Sequence, residues 1–333
     1  FGPLSDKYGR RPLLLVSMLL FIVSTLFCLF APDIYSFVTL RLIQGIAGAG
    51  GIVISRSVAI DKFSGKELAK MLAVIGAING VAPVAAPVIG GLLTGSVGWQ
   101  GIFMILLFIG ILLGIGCIRF KESLPAEKRS KTGVWATFRS FGIIVHNRRY
   151  MLYVFQLAFA QGILFAYIAS SPFIIQQHYG FSPFAFSICF AVNAVAIGVA
   201  AALSVKFRRT ENGTLTGCVG MLVFAVLQMA ALYSGCGFWT YELLMFALLF
   251  MMGLTFTAST TLAMDCERRY AGAASALLGA LCFASGGIVS PLVGLGDILI
   301  STGVTFVICA VCSLLCALWA VKRTGPKVAL CRI

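Results

Sequence analysis

The chain has 333 residues, of which 60% are hydrophobic and only 11% are charged, whereas a soluble domain carries about 25% charged residues. The mean hydropathy is +1.00, and apolar runs of about 20 residues recur along the chain, which excludes an ordinary soluble core and matches the ~30 Å hydrocarbon layer of a membrane. The formal net charge of +14 would suggest a nucleic-acid ligand in a soluble protein, but the positions of the charges argue against it.

Ten hydrophobic segments predict ten membrane-spanning helices. They cover approximately residues 12–32, 35–59, 68–93, 98–118, 151–175, 183–205, 213–235, 239–263, 271–295 and 298–321. A long polar stretch, residues 119–150, separates the first four segments from the last six. The sequence therefore predicts an all-α membrane protein with an N-terminal part (1–118), a central loop (119–150) and a C-terminal six-helix part (151–333).

The basic residues are distributed very unevenly over the connections. Every Lys and Arg except Arg41 and Arg56 lies in or beside the first connection and every second one after it, and the alternate connections hold none. Cytoplasmic loops of membrane proteins carry this excess. We therefore expect both ends of the chain to be cytoplasmic and the basic charge to meet membrane lipids rather than nucleic acid.

The opening stretch, GPLSDKYGRR, is interpreted as a polar turn at the water-facing end of the first segment. It resembles the signature loop of the major facilitator superfamily, roughly G-x-L-x-D-x-x-G-R-R, through Gly2, Leu4, Asp6, Gly9, Arg10 and Arg11. The resemblance implies a bundle of twelve helices in two pseudo-repeated halves, with two helices before Phe1, so the chain is expected to be truncated at its N-terminus. It also implies a cytoplasmic latch, in which Asp6 faces a neighbouring helix N-terminus and Arg10 pairs with Asp61.

The second segment holds a charge about six residues inside its apolar run, at Arg41. Such a charge costs roughly 2.5–3.5 kcal/mol at the bilayer centre, so it should face protein or water. The alternative is a side chain that snorkels to the interface. The run R-x-x-Q-G, formed by Arg41, Gln44 and Gly45, resembles a second motif of the same superfamily, in which the arginine is linked to proton coupling.

The third segment carries two prolines four residues apart, Pro83 and Pro87, followed by Gly90 and Gly91. Each proline removes a backbone donor and kinks a helix, and a generic kink is one interpretation because membrane helices tolerate proline. The A-P-x-x-G-G ending, however, resembles a motif of drug–proton antiporters. Ala86, where that motif usually has glycine, is similar to the Bcr/CflA drug-resistance subfamily.

Polar and aromatic side chains inside the predicted spans are candidates for a substrate cavity. Hydrogen bonding between helices is the alternative that the sequence leaves open for them. The candidates are Asn79, Tyr153, Gln156, Gln161, Tyr167 and Asn193.

None of the eleven acidic residues is placed deep in a predicted span. A proton-coupled carrier needs a group that titrates within the membrane, and the resemblance places that acid in a first helix before Phe1. We therefore expect that the chain alone does not couple transport to protons. The eleven cysteines fall mostly in apolar runs and are interpreted as small packing residues, so neither a metal nor a cofactor is expected.

The resemblance implies proton-coupled efflux of small, mostly apolar drugs by alternating access, in the inner membrane of a bacterium. The partners would be a drug-like molecule, protons and membrane lipids, and a monomer is expected. No nucleophile–base constellation or nucleotide loop indicates an enzyme. The alternatives are a carrier for a sugar or an organic acid with the same fold, and an inactive truncated remnant.

Overall fold

The computed structural model describes residues 2–63, 65–125, 127, 129, 141–204, 206–267 and 271–322. The described residues form helices and their connections, without a strand. The chain divides into two compact units, residues 1–138 (unit 1) and 139–333 (unit 2). The boundary lies within the central loop predicted at 119–150.

The described residues of unit 1 form four helices. They are α1 (Gly2–Tyr8), α2 (Arg10–Cys28), α3 (Ile34–Lys62) and α4 (Gly65–Arg119). Helix α4 is interrupted at Gly98, where φ is 64° and ψ is −177°, a left-handed conformation that glycine adopts without steric cost. This break separates the third and fourth predicted segments. Helix α2 packs against both α3 and α4, so it is the central element of the unit.

In unit 2 the part of the chain that the structure describes forms seven helices, and α6 continues into a π-helical turn, Phe173–His178. The helices are α5 (141–146), α6 (Arg148–Pro172), α7 (Pro183–Ser204), α8 (Thr210–Tyr233), α9 (Phe238–Cys266), α10 (Ala271–Leu292) and α11 (Ile298–Lys322). Helix α9 packs on α7 and α8, while α6 packs on α10 and α11. The buried core therefore lies along α6, α8, α9 and α11.

Helix α9 approaches its neighbours closely at glycines. A Cβ atom at Gly253 would lie 2.5 Å from the carbonyl oxygen of Ile197 on α7. A Cβ atom at Gly217 on α8 would lie 2.7 Å from the carbonyl oxygen of Met251. Small residues at helix contacts are the means by which membrane helices gain close packing without a hydrophobic driving force.

The described part of the chain contains nine helical stretches that are long and apolar enough to cross a membrane. Large apolar side chains cover their outer faces; Trp239, for example, is 80% exposed. The predicted all-α membrane fold is thereby confirmed. The predicted third segment, 68–93, has a helical backbone, but most of its side chains lie outside the described residues.

Candidate functional site

A group of polar and charged side chains surrounds the start of α2. The sequence interpretation of residues 2–11 as a turn is wrong in detail, because Gly2–Tyr8 form helix α1 and the change of direction is confined to Gly9. The backbone N–H of Gly9 closes α1 on the carbonyl of Ser5 at 3.1 Å. With φ at 101°, Gly9 adopts a conformation that other residues rarely take. The motif glycine is therefore needed where α1 gives way to α2.

The Arg10 guanidinium is buried and donates hydrogen bonds to three side chains. Its Nη1 donates to Ser5 Oγ at 2.6 Å and to Asp6 Oδ1 at 2.5 Å. Its Nε donates to Asp61 Oδ2 at 2.9 Å, at the end of α3. The structure thus brings Arg10 and Asp61 together as the sequence predicts. The Asp6 carboxylate accepts from Arg10, and its approach to a neighbouring helix N-terminus stays a prediction.

The N-terminus of α2 is occupied by Glu122, a residue that no sequence motif singled out. Its Oε1 accepts from the backbone N–H of Arg10 at 2.9 Å, and its Oε2 accepts from that of Arg11 at 3.1 Å. A carboxylate suits this place because the first N–H groups of a helix lack partners and the helix dipole favours an anion. We name Ser5, Asp6, Arg10, Asp61, Glu122 and Ser123 the Arg10 cluster.

The surroundings of Glu122 shift its titration. Burial alone would raise the pKa of this carboxyl, but hydrogen bonds from the backbone N–H groups of Leu124, Arg10, Arg11 and Ser123 outweigh that effect and hold the pKa below its ordinary value. Glu122 follows the end of α4 by three residues. The sequence shows only an acid just after a span and, separately, a helix start whose N-cap, Gly9, has no side chain; the fold brings the two together.

The Arg10 cluster ties three elements of unit 1 together. Ser123 Oγ donates to Asp61 Oδ2 at 3.2 Å, so the segment after α4 also reaches the end of α3. The Arg11 guanidinium donates to the carbonyl of Ile118 at 2.9 Å. Charge-assisted hydrogen bonds of this kind are roughly twice as strong as neutral ones. The arrangement can hold the ends of α1, α2 and α3 together as one block.

The second motif forms a separate network between α2 and α3. Arg41 donates through Nη1 to Gln44 Oε1. The Gln44 side chain is buried, and its Nε2 donates to Thr25 Oγ1 at 2.5 Å. The Arg41 guanidinium also lies 5.5 Å from the ring centroid of Phe103 on α4, within the range of a cation–π contact. Gly45, next to Gln44, is exposed on α3.

The proline motif lies on α4. Its backbone is helical through Pro83 and Pro87, while the side chains of Pro83, Pro87 and Asn79 lie outside the described residues. Gly90 and Gly91 are partly exposed on the same helix. The motif's role therefore stays a prediction.

Three of the predicted cavity residues lie on the first half of α6. The buried Gln156 side chain donates to Ser313 Oγ at 3.2 Å and to Cys218 Sγ at 3.4 Å, on α11 and α8. Here the structure shows the helix-to-helix hydrogen bonds that the sequence left open. The Tyr153 hydroxyl and the Gln161 Oε1 atom are buried without a hydrogen-bond partner among the described residues.

Two further cavity candidates, Tyr167 and Asn193, lie in one hydrogen-bonded network with an acid, Glu242. Asn193 Nδ2 on α7 donates to the Tyr167 hydroxyl on α6 at 3.0 Å and to Glu242 Oε1 on α9 at 2.8 Å. The sequence predicts no acid deep in a span, and for Glu242 the surroundings matter more than the depth. Glu242 lies only one turn after the start of α9, but its carboxyl points among the helices of unit 2, where Asn193 and Tyr167 are buried.

Comparison with known proteins identifies relatives over most of the chain. The sequence profile described as Major Facilitator Superfamily matches residues 1–291. "Uncharacterized MFS-type transporter YdgK" of Bacillus subtilis is 38% identical over 303 residues, which are 89% of this chain and 75% of that protein. A "Bicyclomycin resistance protein homolog" of Haemophilus influenzae is 28% identical over 307 residues, 88% of this chain and 75% of that protein. "Multidrug transporter MdfA" of Yersinia pestis is 29% identical over 187 residues, 56% of this chain and 46% of that protein.

Solved structures share the fold. A bacterial homologue of the human lysosomal transporter Spinster superposes with a TM-score of 0.73 at 18% identity, covering 96% of this chain and 85% of that one. The xylose transporter XylE from E. coli superposes with a TM-score of 0.69 at 16% identity, covering 96% and 83%. At these identities the likeness concerns the fold alone.

Proposed function

The chain belongs to the Major Facilitator Superfamily, and from that premise we propose that it exports small, mostly apolar drugs in exchange for protons by alternating access. It is a multi-pass membrane transporter of small molecules and not an enzyme. The finer proposal draws on relatives named for bicyclomycin resistance and multidrug transport, and on the resemblance of the proline motif to that of drug–proton antiporters.

The observation that carries proton exchange is the network of Arg41 with Gln44 and Thr25. A charged side chain within a membrane segment is costly, so it is retained where it serves a function. Gln44 fixes the guanidinium from one side and is itself fixed by Thr25 Oγ1. The charge of a guanidinium held in this way favours the ionised form of a nearby carboxyl. It can therefore promote release of a proton from that acid.

The Arg10 cluster supports the alternating-access part of the proposal. Its charged contacts join the ends of α1, α2 and α3, and contacts of this kind have two discrete arrangements, made or broken. In a transporter whose two halves rock against each other, such a cluster would stabilise one of the two states. This is the latch that the motif implies.

Location and orientation follow from the charge distribution. The basic residues of the connections favour an inner membrane with both ends of this chain in the cytoplasm. A monomer suffices for this function, since each half supplies its own helices.

The test is transport by the full-length protein in proteoliposomes with an imposed pH gradient. We expect a fluorescent lipophilic dye, or bicyclomycin, to move against the proton flow, and addition of the drug alone to drive protons in the opposite direction. Liposomes with an Arg41→Ala protein serve as the matched control. Drug movement that does not depend on the pH gradient would indicate a facilitator instead of an antiporter. Movement of a sugar or an organic acid without drug movement would overturn the proposed cargo.

A further inference from the structure

We propose that Glu242 is a proton-binding site of unit 2, formed with Asn193 and Tyr167; we name these three residues the Glu242 cluster. The sequence analysis placed the coupling acid in a helix before Phe1, and the inferred site is additional to any such acid. The proposal concerns protonation of this carboxyl and does not depend on which molecule the transporter carries.

The first argument is the position of the carboxyl. Glu242 lies one turn inside α9, and its Oε1 accepts a hydrogen bond from Asn193 Nδ2 at 2.8 Å. The same amide nitrogen donates to the Tyr167 hydroxyl at 3.0 Å. Asn193, Tyr167 and the neighbouring Tyr241 are buried. Glu242 as a whole is partly exposed, but its carboxyl is held among α6, α7 and α9 by a side chain that donates to it.

The second argument is an excess of acceptors. Glu242 Oε2 and Asn193 Oδ1 are both buried, and neither has a hydrogen-bond partner among the described residues; the buried Tyr241 hydroxyl is also unpartnered and donates to neither. The donor nitrogen of Asn193, Nδ2, is already hydrogen-bonded to the Tyr167 hydroxyl and to Glu242 Oε1. Buried polar atoms in native proteins are nearly always paired, so two orphan acceptors on two bonded side chains indicate a missing donor. A proton on Glu242 Oε2 supplies that donor by forming one O–H bond.

The third argument is the absence of a compensating charge in the described part of unit 2. The titratable groups around Glu242 are Tyr167 on α6, Cys189 on α7, Tyr241 on α9 and Tyr179 between α6 and α7. All four are neutral at neutral pH. The rings of His178 and Tyr179 meet edge to face with centroids 4.7 Å apart, but the His178 side chain is exposed. No described Lys, Arg or His forms an ion pair with Glu242.

A buried carboxylate without a counter-charge is unstable relative to its neutral form. The surroundings add to this effect, because the Tyr167 ring is stacked on Phe190 with centroids 5.5 Å apart and the neighbourhood is largely aromatic. The site therefore favours an uncharged occupant, and a bound proton neutralises it with no further atoms. Release of that proton would require water or a cation to reach the cluster, which links its charge to opening of the helices around it.

The test is chemical labelling of the full-length protein in lipid nanodiscs. A hydrophobic carbodiimide reacts with protonated carboxyls in apolar surroundings, and peptide mass spectrometry locates the adduct. We expect Glu242 to be labelled at mildly acidic pH and progressively less as the pH rises. Glu211, in the first turn of α8 and outside the cluster, is the internal control and should stay unlabelled. Absence of labelling at Glu242 at every pH would overturn the proposal.

Infrared spectroscopy gives a second readout that does not need the reagent. A carbonyl band of a protonated carboxyl should titrate in the wild type and in Glu211→Gln but be absent in Glu242→Gln. If the band is absent in the wild type while tetraphenylphosphonium binding is lost in Glu242→Gln, the carboxylate holds an organic cation and the proposal is wrong. A titrating band in a protein that does not export drugs would overturn the proposed function and leave the proton site standing.

Discussion

Glu122 caps the start of α2 from a position 112 residues away in the sequence: its Oε1 lies 2.9 Å from the backbone nitrogen of Arg10. Gly9 at the N-cap position has no side chain to do this. The free N–H groups of α2 are satisfied instead by a carboxylate that follows α4. One residue therefore joins the first motif to the far end of unit 1.

Replacing Glu122 by alanine should lower the stability of unit 1. Loss of a helix N-cap typically costs about 1 kcal/mol, and here the N–H groups of Arg10 and Arg11 lose their acceptor together. We expect a lower thermal midpoint for Glu122→Ala in detergent, measured by intrinsic fluorescence. Glu127→Ala, which removes an exposed glutamate from the same segment, should leave the midpoint unchanged. Equal effects of the two changes would contradict the capping role.

Stability should also depend on pH through Glu122. The pKa of this carboxyl is lowered in the folded protein by the backbone N–H groups that it accepts from. In the unfolded chain the group returns to about 4.3. Its contribution is therefore fully present above about pH 4.3 and is lost as the pH falls through the lower folded pKa. The thermal midpoint of the wild type should fall more steeply with acid than that of Glu122→Gln, and parallel curves would refute the linkage.

The pairing of Arg10 with Asp61 could be predicted from the sequence, whereas the role of Glu122 could not. The Arg10–Asp61 pair is predictable because Arg10 belongs to a motif of fixed spacing and Asp61 lies at the end of the next long helix, α3. The role of Glu122 depends on how the segment after α4 returns to the start of α2, and no local pattern records that path. The polar residues among 119–125 would suit any water-facing loop.

Glu242 shows a different limit of sequence reasoning. In the sequence Glu242 lies one turn inside α9, a position typical of the membrane interface. Burial instead depends on which face of the helix carries the side chain, and this face is covered by α6 and α7. The helix positions themselves were predictable because their apolar runs are long and uniform.

Arg10 and Asp61 should be strongly coupled energetically. The Nε of Arg10 lies 2.9 Å from Asp61 Oδ2, and both side chains are largely buried. Hydrogen bonds between charged groups contribute about 2 kcal/mol. A double-mutant cycle of Arg10→Ala and Asp61→Ala, followed by thermal unfolding of the full-length protein, should give an interaction free energy of that order. Additive single effects would mean that the pair contributes nothing beyond its separate contacts.

The glycine contact between α7 and α9 gives a packing prediction for unit 2. A methyl group at Gly253 would lie 2.5 Å from the backbone oxygen of Ile197, which cannot move aside without shifting α7. We expect Gly253→Ala to destabilise the protein by about 1–3 kcal/mol, the usual cost of overpacking. Gly198→Ala is the matched control, because a Cβ atom there meets nothing within 4 Å. A harmless Gly253→Ala would show that the two helices separate easily.

The proposed coupling role of Arg41 is tested by removing its charge. In the full-length protein, Arg41→Ala should abolish drug-driven proton exchange while expression stays intact, because Gln44 then has no guanidinium to hold. Drug binding should survive, since the change removes a charge and leaves the apolar helix faces in place. Exchange is measured in proteoliposomes with a pH-sensitive dye, and Lys206→Ala, which removes an exposed basic residue between α7 and α8, is the control. Unchanged exchange in Arg41→Ala would eliminate the coupling role, and equal loss in both variants would assign the effect to net charge rather than to this position.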